Sequence, residues 1–272
     1  LTARDGDGET GFLRCFGQQL RVLRTRKGLT RAELGTLLGY GEDLVASVEC
    51  GRRIPKPDFI DRADTALEAG GLLTAMRDEV AKARYPAFFR DAVELEREAV
   101  ELHVYANQAV PGLLQTEGYA RAVFGVLRPP LDETVVDERV AARMARQEIF
   151  HRTPPPLMSF VIDESVLLRP LGGRAVQRGQ LEQIGLVAAM RYVEIQVMPL
   201  DRDENAGMAG PFTLIETTGE RRIAYVEVQN VSRVQTERPA VRSLEAKYGT
   251  LRAQALTPRE SSAYVEKLLG AL

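Results

Sequence analysis

The residues of this chain best equipped for chemistry lie between Lys27 and Arg53. Lys27, Arg31, Arg52 and Arg53 are cationic donors suited to phosphate oxygens. Thr30 can cap a helix whose N-terminal N–H groups attract anions. Between them lie Gly41, Glu42, Asp43, Leu44 and Ser47. A carboxylate accepts from cytosine N4, leucine packs on a thymine methyl, and serine bonds to any base edge. For Glu42 and Asp43 two readings stand. They read a base, or they only supply the cap that Gly41 lacks and favour the helix dipole.

Two short helices must hold these groups. Thr30 followed by Glu33 is a capping-box spacing, and Leu34, Leu37 and Leu38 form a helical stripe. Gly39-Tyr40-Gly41 breaks that helix. A second runs from about Glu42 to Cys50 on Leu44, Val45 and Val48, and Gly51 stops it. Two helices and a glycine turn make a helix-turn-helix, whose second helix enters the DNA major groove. The plain alternative is a helical hairpin in an all-helical domain. Residues 11–26 predict a preceding helix on Leu13, Phe16, Leu20 and Leu23. Pro57 opens a later one to about Glu68.

The stretch resembles the DNA-binding domain of Xre/Cro-type repressors. The matching positions are Arg24, Gly28-Leu29-Thr30, Glu33-Leu34, Leu38-Gly39, Val45, Val48-Glu49, Gly51, Arg53 and Pro55. The resemblance implies a double-stranded DNA operator, bound as a homodimer. The whole chain carries a net charge of −2. Residues 12–60 hold nine basic side chains against five acidic ones, which suits a polyanion. Residues 1–10 are polar, no apolar run approaches a membrane span, and there are two cysteines. A cytoplasmic protein without membrane contact is expected. His103 and His151 are the only histidines, and no metal or other cofactor is expected.

Gly70-Gly71 sets the expected domain boundary: a helix-turn-helix domain over 1–70 and a regulatory, dimerising domain over 71–272. Residues 72–152 read as helical, with one long helix over Ala87–Gln108. Its seam of Phe88, Ala92, Leu95, Ala99, Leu102 and Ala106 suits self-pairing or packing on its own domain. Residues 153–272 read as α+β, with strands at Leu157–Ile162, Tyr192–Met198, Phe212–Thr217 and Arg222–Val228. The expected fold is therefore mainly α: a helix-turn-helix bundle, then a larger helical domain containing a small, mostly antiparallel sheet.

Phrases in this half resemble the companion domain of antitoxin-like Xre regulators from GC-rich Gram-positive bacteria. They include Val110-Pro111-Gly112-Leu113-Leu114-Gln115-Thr116, Arg143-x-x-Arg146-Gln147, Asp163-Glu164, Gly210-Pro211-Phe212 and Tyr225-Val226-Glu227. That resemblance implies a domain without a settled activity, and a small acidic partner protein encoded by a neighbouring gene. A small-molecule effector is the other expected ligand. Its candidate pocket residues are Arg169, Met208, Phe212, Tyr225 and Glu227. Arg169 and Glu227 are read as a structural ion pair or as pocket floor. The loop Asp203–Gly210 either closes over a groove or simply joins strands. Asp163, Glu164, Glu216 and Glu227 could do acid–base work, but no nucleophile motif accompanies them, so an enzyme is not expected. The expected function is a dimeric, sequence-specific transcriptional regulator. The alternative is an antitoxin-like protein that mainly neutralises a partner.

Overall fold

The computed structural model describes the backbone of residues 5–82, 87–228 and 231–272, and the side chains of 12–80, 93–228 and 232–272. The chain divides into two compact units, Leu1–Arg90 and Asp91–Leu272.

The first unit holds α1 (Asp5–Arg26), α2 (Arg31–Leu38), α3 (Glu42–Glu49), α4 (Pro57–Ala66) and α5 (Arg77–Lys82). Local chemistry sets the limits of α2. Thr30 Oγ1 accepts from Glu33 N–H at 3.2 Å, the Glu33 carboxylate accepts from Thr30 N–H at 2.7 Å, and Gly39 ends the helix at φ +75°. Phe16 and Leu20 of α1 bury against Leu34, Leu38, Val45, Val48 and Phe59. The Gly70–Gly71 turn is bound back to α4. Asp64 accepts from the N–H groups of Gly71 (2.8 Å), Leu73 (2.8 Å) and Thr74 (3.0 Å). Beyond that turn, Leu73 and Val80 belong to the same core.

Then follow α6 (Ala87–Glu98), β1 (Ala99–Ala106), α7 (Glu117–Gly125), α8 (Glu133–Ala145), β2 (Leu157–Asp163), α9 (Glu164–Leu168) and α10 (Arg174–Ala188). The chain closes with β3 (Val193–Met198), β4 (Phe212–Thr217), β5 (Arg222–Val228), β6 (Val231–Gln235), α11 (Arg238–Gln254) and α12 (Pro258–Ala271). Short 3₁₀ turns cover Thr74–Met76, Gly112–Leu114 and Arg146–His151.

The sheet overturns the expected fold class. It has six strands in the order β3-β2-β1-β4-β5-β6, and it is mixed. β1 is parallel to β2 and β2 to β3, while β4, β5 and β6 add antiparallel strands on the other side of β1. Residues 72–152 are accordingly not all helical. The expected helix over Ala87–Gln108 ends at Glu98, and Ala99–Ala106 is a central strand bonded on both edges. Val100, Val104 and Tyr105 favour a strand, and two ready partner strands decide between that and the helical spacing. Of the expected seam, Ala99, Leu102 and Ala106 are buried within this unit. The side chains of Phe88 and Ala92 lie outside the described residues.

Alternation along the strands makes two cores. Leu102, Met158, Phe160, Ile162, Val193 and Ile195 meet Leu181 and Ile184 of α10 and Val265 of α12. Tyr105, Val161, Met198, Phe212, Leu214 and Ala224 meet Val241, Tyr248 and Leu251 of α11. The loop after β3 is fixed to this second core. Asn205 Oδ1 accepts from Gly207 N–H at 2.7 Å and from the Tyr105 hydroxyl at 3.4 Å. A Cβ at Gly207 would fall on the Tyr105 ring, which is 1% exposed.

Gly207→Ala should therefore destabilise the second unit by about 1–3 kcal/mol, since the ring has nowhere to move. Tyr105→Phe, which removes only the hydroxyl, should cost no more than about 1 kcal/mol. Denaturant unfolding of the two variants checks this, and a neutral Gly207→Ala would contradict the close approach.

Candidate nucleic-acid interface

A buried carboxylate fixes α3. Glu49, with its side chain 1% exposed, accepts from Arg24 Nε at 2.5 Å and Nη2 at 3.2 Å, and from Arg31 Nε at 2.8 Å. Arg24 also donates Nη1 to the Leu29 carbonyl at 2.6 Å. One side chain on α3 thus binds α1 and the start of α2, and Arg24 ties the loop between them to the same point. Burial raises the Glu49 pKa, but the hydrogen bonds and charges of Arg24 and Arg31 outweigh it and hold the carboxyl below its usual range.

The expected contact residues surround this knot. Arg31 is part-exposed, and because Nε is taken by Glu49 its two Nη groups have no protein partner among the described residues. Arg52 and Arg53 are exposed just after α3 and form no ion pair among the described residues. Lys27 pairs with Glu68 at 2.7 Å. Thr30 is engaged with Glu33. Gly41, Glu42 and Asp43 are exposed at the start of α3, where Gly41 makes no side-chain cap. Ser47 is half-buried, and Leu44 packs against the head's core.

The five candidate pocket residues of the second unit are not gathered together. Phe212 lies in the α11-side core against Tyr105, with ring centroids 6.1 Å apart. Tyr225 opposes Thr213, so it and Glu227 face the other way, and the Tyr225 hydroxyl donates to Glu227 at 3.0 Å. Burial and the Glu227 charge push the Tyr225 pKa up. Met208 is 82% exposed. Arg169 donates to the Gln108 carbonyl at 3.2 Å, and no ion pair joins it to Glu227 among the described residues. The remaining carboxylates are similarly occupied. Asp163 Oδ1 accepts from Ser165 N–H at 3.1 Å, Glu164 accepts from Leu200 N–H at 2.7 Å and from Tyr264, and Glu216 pairs with Arg222 at 2.9 Å.

The phrases around Gln115 do converge. Gln115 donates to the Val110 carbonyl (2.7 Å), accepts from Arg143 (2.8 Å) through its side chain, and accepts from Gln147 (2.6 Å) through its carbonyl. Gln180 closes the same segment, donating to the Leu114 carbonyl and accepting from Thr116 N–H. Burial and the neighbouring Arg146 pull the Arg143 pKa down to about 10, and its guanidinium sits 4.4 Å from the Phe124 ring centroid. This is a structural clamp on residues 110–116.

The capped α2, the glycine turn and an α3 braced by buried charge define a helix-turn-helix DNA-binding head. A helix-turn-helix domain matches residues 16–76, so the chain is a DNA-binding regulator of that type. It belongs to the family of the domain of unknown function DUF5753, which matches residues 89–267. No curated protein matches the chain. Among the described residues, no helix is long and apolar enough to cross a membrane, and no group of His, Cys, Asp and Glu could hold a metal ion.

Sequence reasoning missed the role of Arg24 and Glu49. They stood in the matched pattern, but only two opposite charges at core-facing positions hinted that they meet. Glu49→Gln should cost the head about 3–5 kcal/mol, because Arg24 then stays buried without its counter-charge. The depressed Glu49 pKa gives a stabilisation that is complete above its unfolded value of about 4.3 and is lost as pH falls through the folded value. Thermal unfolding between pH 7 and pH 3 should show a weaker acid dependence in Glu49→Gln than in the natural protein; equal slopes would exclude this account.

Proposed function

We propose that this protein is a sequence-specific transcriptional regulator that binds its operator as a dimer, with the DUF5753 unit receiving the signal that sets DNA affinity. The observation that carries the reading is α3 with its flanks. An exposed helix N-terminus stands between Arg31, whose Nη groups have no partner among the described residues, and Arg52 and Arg53, which form no ion pair among them, on a framework fixed by Glu49. The arginines supply phosphate contacts, and Glu42, Asp43 and Ser47 read base edges. Half-sites one helical turn apart, about 34–36 Å, require two heads, which is why a dimer is part of the proposal. The signal is a small ligand or a protein partner bound by the second unit. No catalytic step is assigned.

The test is a gel shift on DNA from upstream of the protein's own gene, across a range of salt. Arg52→Ala and Arg53→Ala lie outside the Glu49 network. Each should weaken binding to specific and unrelated DNA alike, and lower the slope of log affinity against log salt by about one unit per head. An unchanged slope would remove these arginines from the interface. Failure of the natural protein to shift its own upstream DNA in preference to unrelated DNA would reject sequence-specific regulation.

A further inference from the structure

We propose that a cavity between α11 and the sheet of the DUF5753 unit binds a small organic cation, a primary amine with an apolar body, through the Glu101 carboxylate. The inference rests on the reading of this unit as the receiver of the signal and names the site and ligand class. The cavity has a volume of about 320 Å³. Glu101 and His103 of β1 line one wall, Leu214 of β4 another, and Val241, Tyr248 and Gly249 of α11 the third.

The electrostatics select a cation. Arg222 at the rim is held by Glu216 at 2.9 Å and Glu245 at 3.4 Å. Arg252 is held by Glu194 and by Gln196, the latter at 2.9 Å. These arginines already have partners. Glu101 has one contact among the described residues, His103 Nε2 at 3.4 Å. A chain of hydrogen bonds fixes that imidazole: Tyr248 hydroxyl to Ser159 Oγ at 2.9 Å, and Ser159 Oγ to His103 Nδ1 at 2.7 Å. Burial pushes the Tyr248 pKa up to about 12, and its hydroxyl and Ser159 Oγ share one hydrogen bond. In the tautomer with its hydrogen on Nε2, the imidazole accepts from Ser159 at Nδ1 and directs that hydrogen at Glu101. The carboxylate is thus oriented, and no arginine or lysine pairs with it among the described residues. The His103 and Tyr248 rings, 5.3 Å apart between centroids, add aromatic surface beside it.

Ser159, His103 and Glu101 are not read as a hydrolytic triad. Ser159 lies mid-strand and is 5% exposed, with its oxygen already taken by Tyr248, so a scissile bond cannot reach it.

Gly249 lines the same cavity from α11. It stands inside α11, where glycine is less favourable than alanine. A Cβ there would meet nothing within 4 Å. The position is exposed and lines the cavity, so a large side chain there has room to cover the opening without displacing the core.

The experiment titrates the full chain, without DNA, with butylamine, cyclohexylamine and phenethylamine, each against the alcohol of the same body, by calorimetry and thermal unfolding at neutral pH. At least one amine should bind saturably at one site per chain, with its alcohol at least about tenfold weaker, the loss expected when a charge-assisted hydrogen bond becomes a neutral one. Glu101→Gln should weaken the amine by a similar factor. Gly249→Leu should abolish binding while its unliganded midpoint stays at or above that of the natural protein, so loss of fold cannot explain the result. Binding by none of the amines, equal binding of amine and alcohol, or undiminished binding in Gly249→Leu would each overturn the proposal. If an amine binds as expected but the gel shift is indifferent to it, the cation site stands and the signal-receiving reading of the unit falls.

Discussion

The DNA-binding head depends on one buried carboxylate. Glu49 is the last residue of α3, and it holds Arg24 of α1 and Arg31 of α2 together. Hydrophobic contacts among Phe16, Leu34, Val45 and Val48 bring the three helices together, but they are not directional. The two-nitrogen grip of Arg24 on Glu49 is directional, and it sets how α3 is turned on the core. Gly17 lets α1 come close at the same point, since a side chain there would strike the Val48 and Glu49 carbonyls. The same carboxylate draws Arg31 inward by its Nε while leaving the end of its guanidinium outward. In the proposed DNA contact, Arg31 therefore serves structure and phosphate together, and the acids at the start of α3 are presented by a helix held at its other end.

The second unit solves a different problem. A six-stranded sheet has two faces to cover, and here they receive unequal cover. One face packs on α10 and α12 with a broad aliphatic core, whereas the other relies mainly on α11. Where α11 runs over β1, β4 and β5, its glycine and the polar side chains of Glu101 and His103 leave space that aliphatic residues would have filled. The space opens to solvent at Arg222 and Gly249, so it is a groove between helix and sheet and not a void in the core. That asymmetry, with the hydrogen-bond chain from Tyr248 to His103, distinguishes this face from the packed one.

How much of this was legible follows from the range of the interactions. The head was read from local signals. The Thr30–Glu33 box, the Gly39 stop and Pro57 at the start of α4 each act within a few residues, and the helices begin and end there. The Arg24–Glu49 bond spans 25 positions, and nothing local announces it. β1 was misread because Ala99, Leu102 and Ala106 satisfy helical spacing as well as strand alternation, and only the pairing with β2 and β4 decides. Losing β1 also hid the parallel half of the sheet, and it hid the two-residue alternation that puts Glu101 and His103 on one face. Arg169, Met208, Phe212, Tyr225 and Glu227 were drawn from separate phrases, and the alternation of β4 and β5 sends Phe212 and Tyr225 to opposite faces.

The central claim is that the braced α3 and the arginines after it meet DNA. Hydrogen exchange of the full chain with and without a DNA fragment from upstream of its gene tests this most directly. The account predicts DNA-dependent protection concentrated in residues 41–53 and at the start of α2. Protection absent from those residues, or equal with an unrelated fragment of the same length, would contradict it.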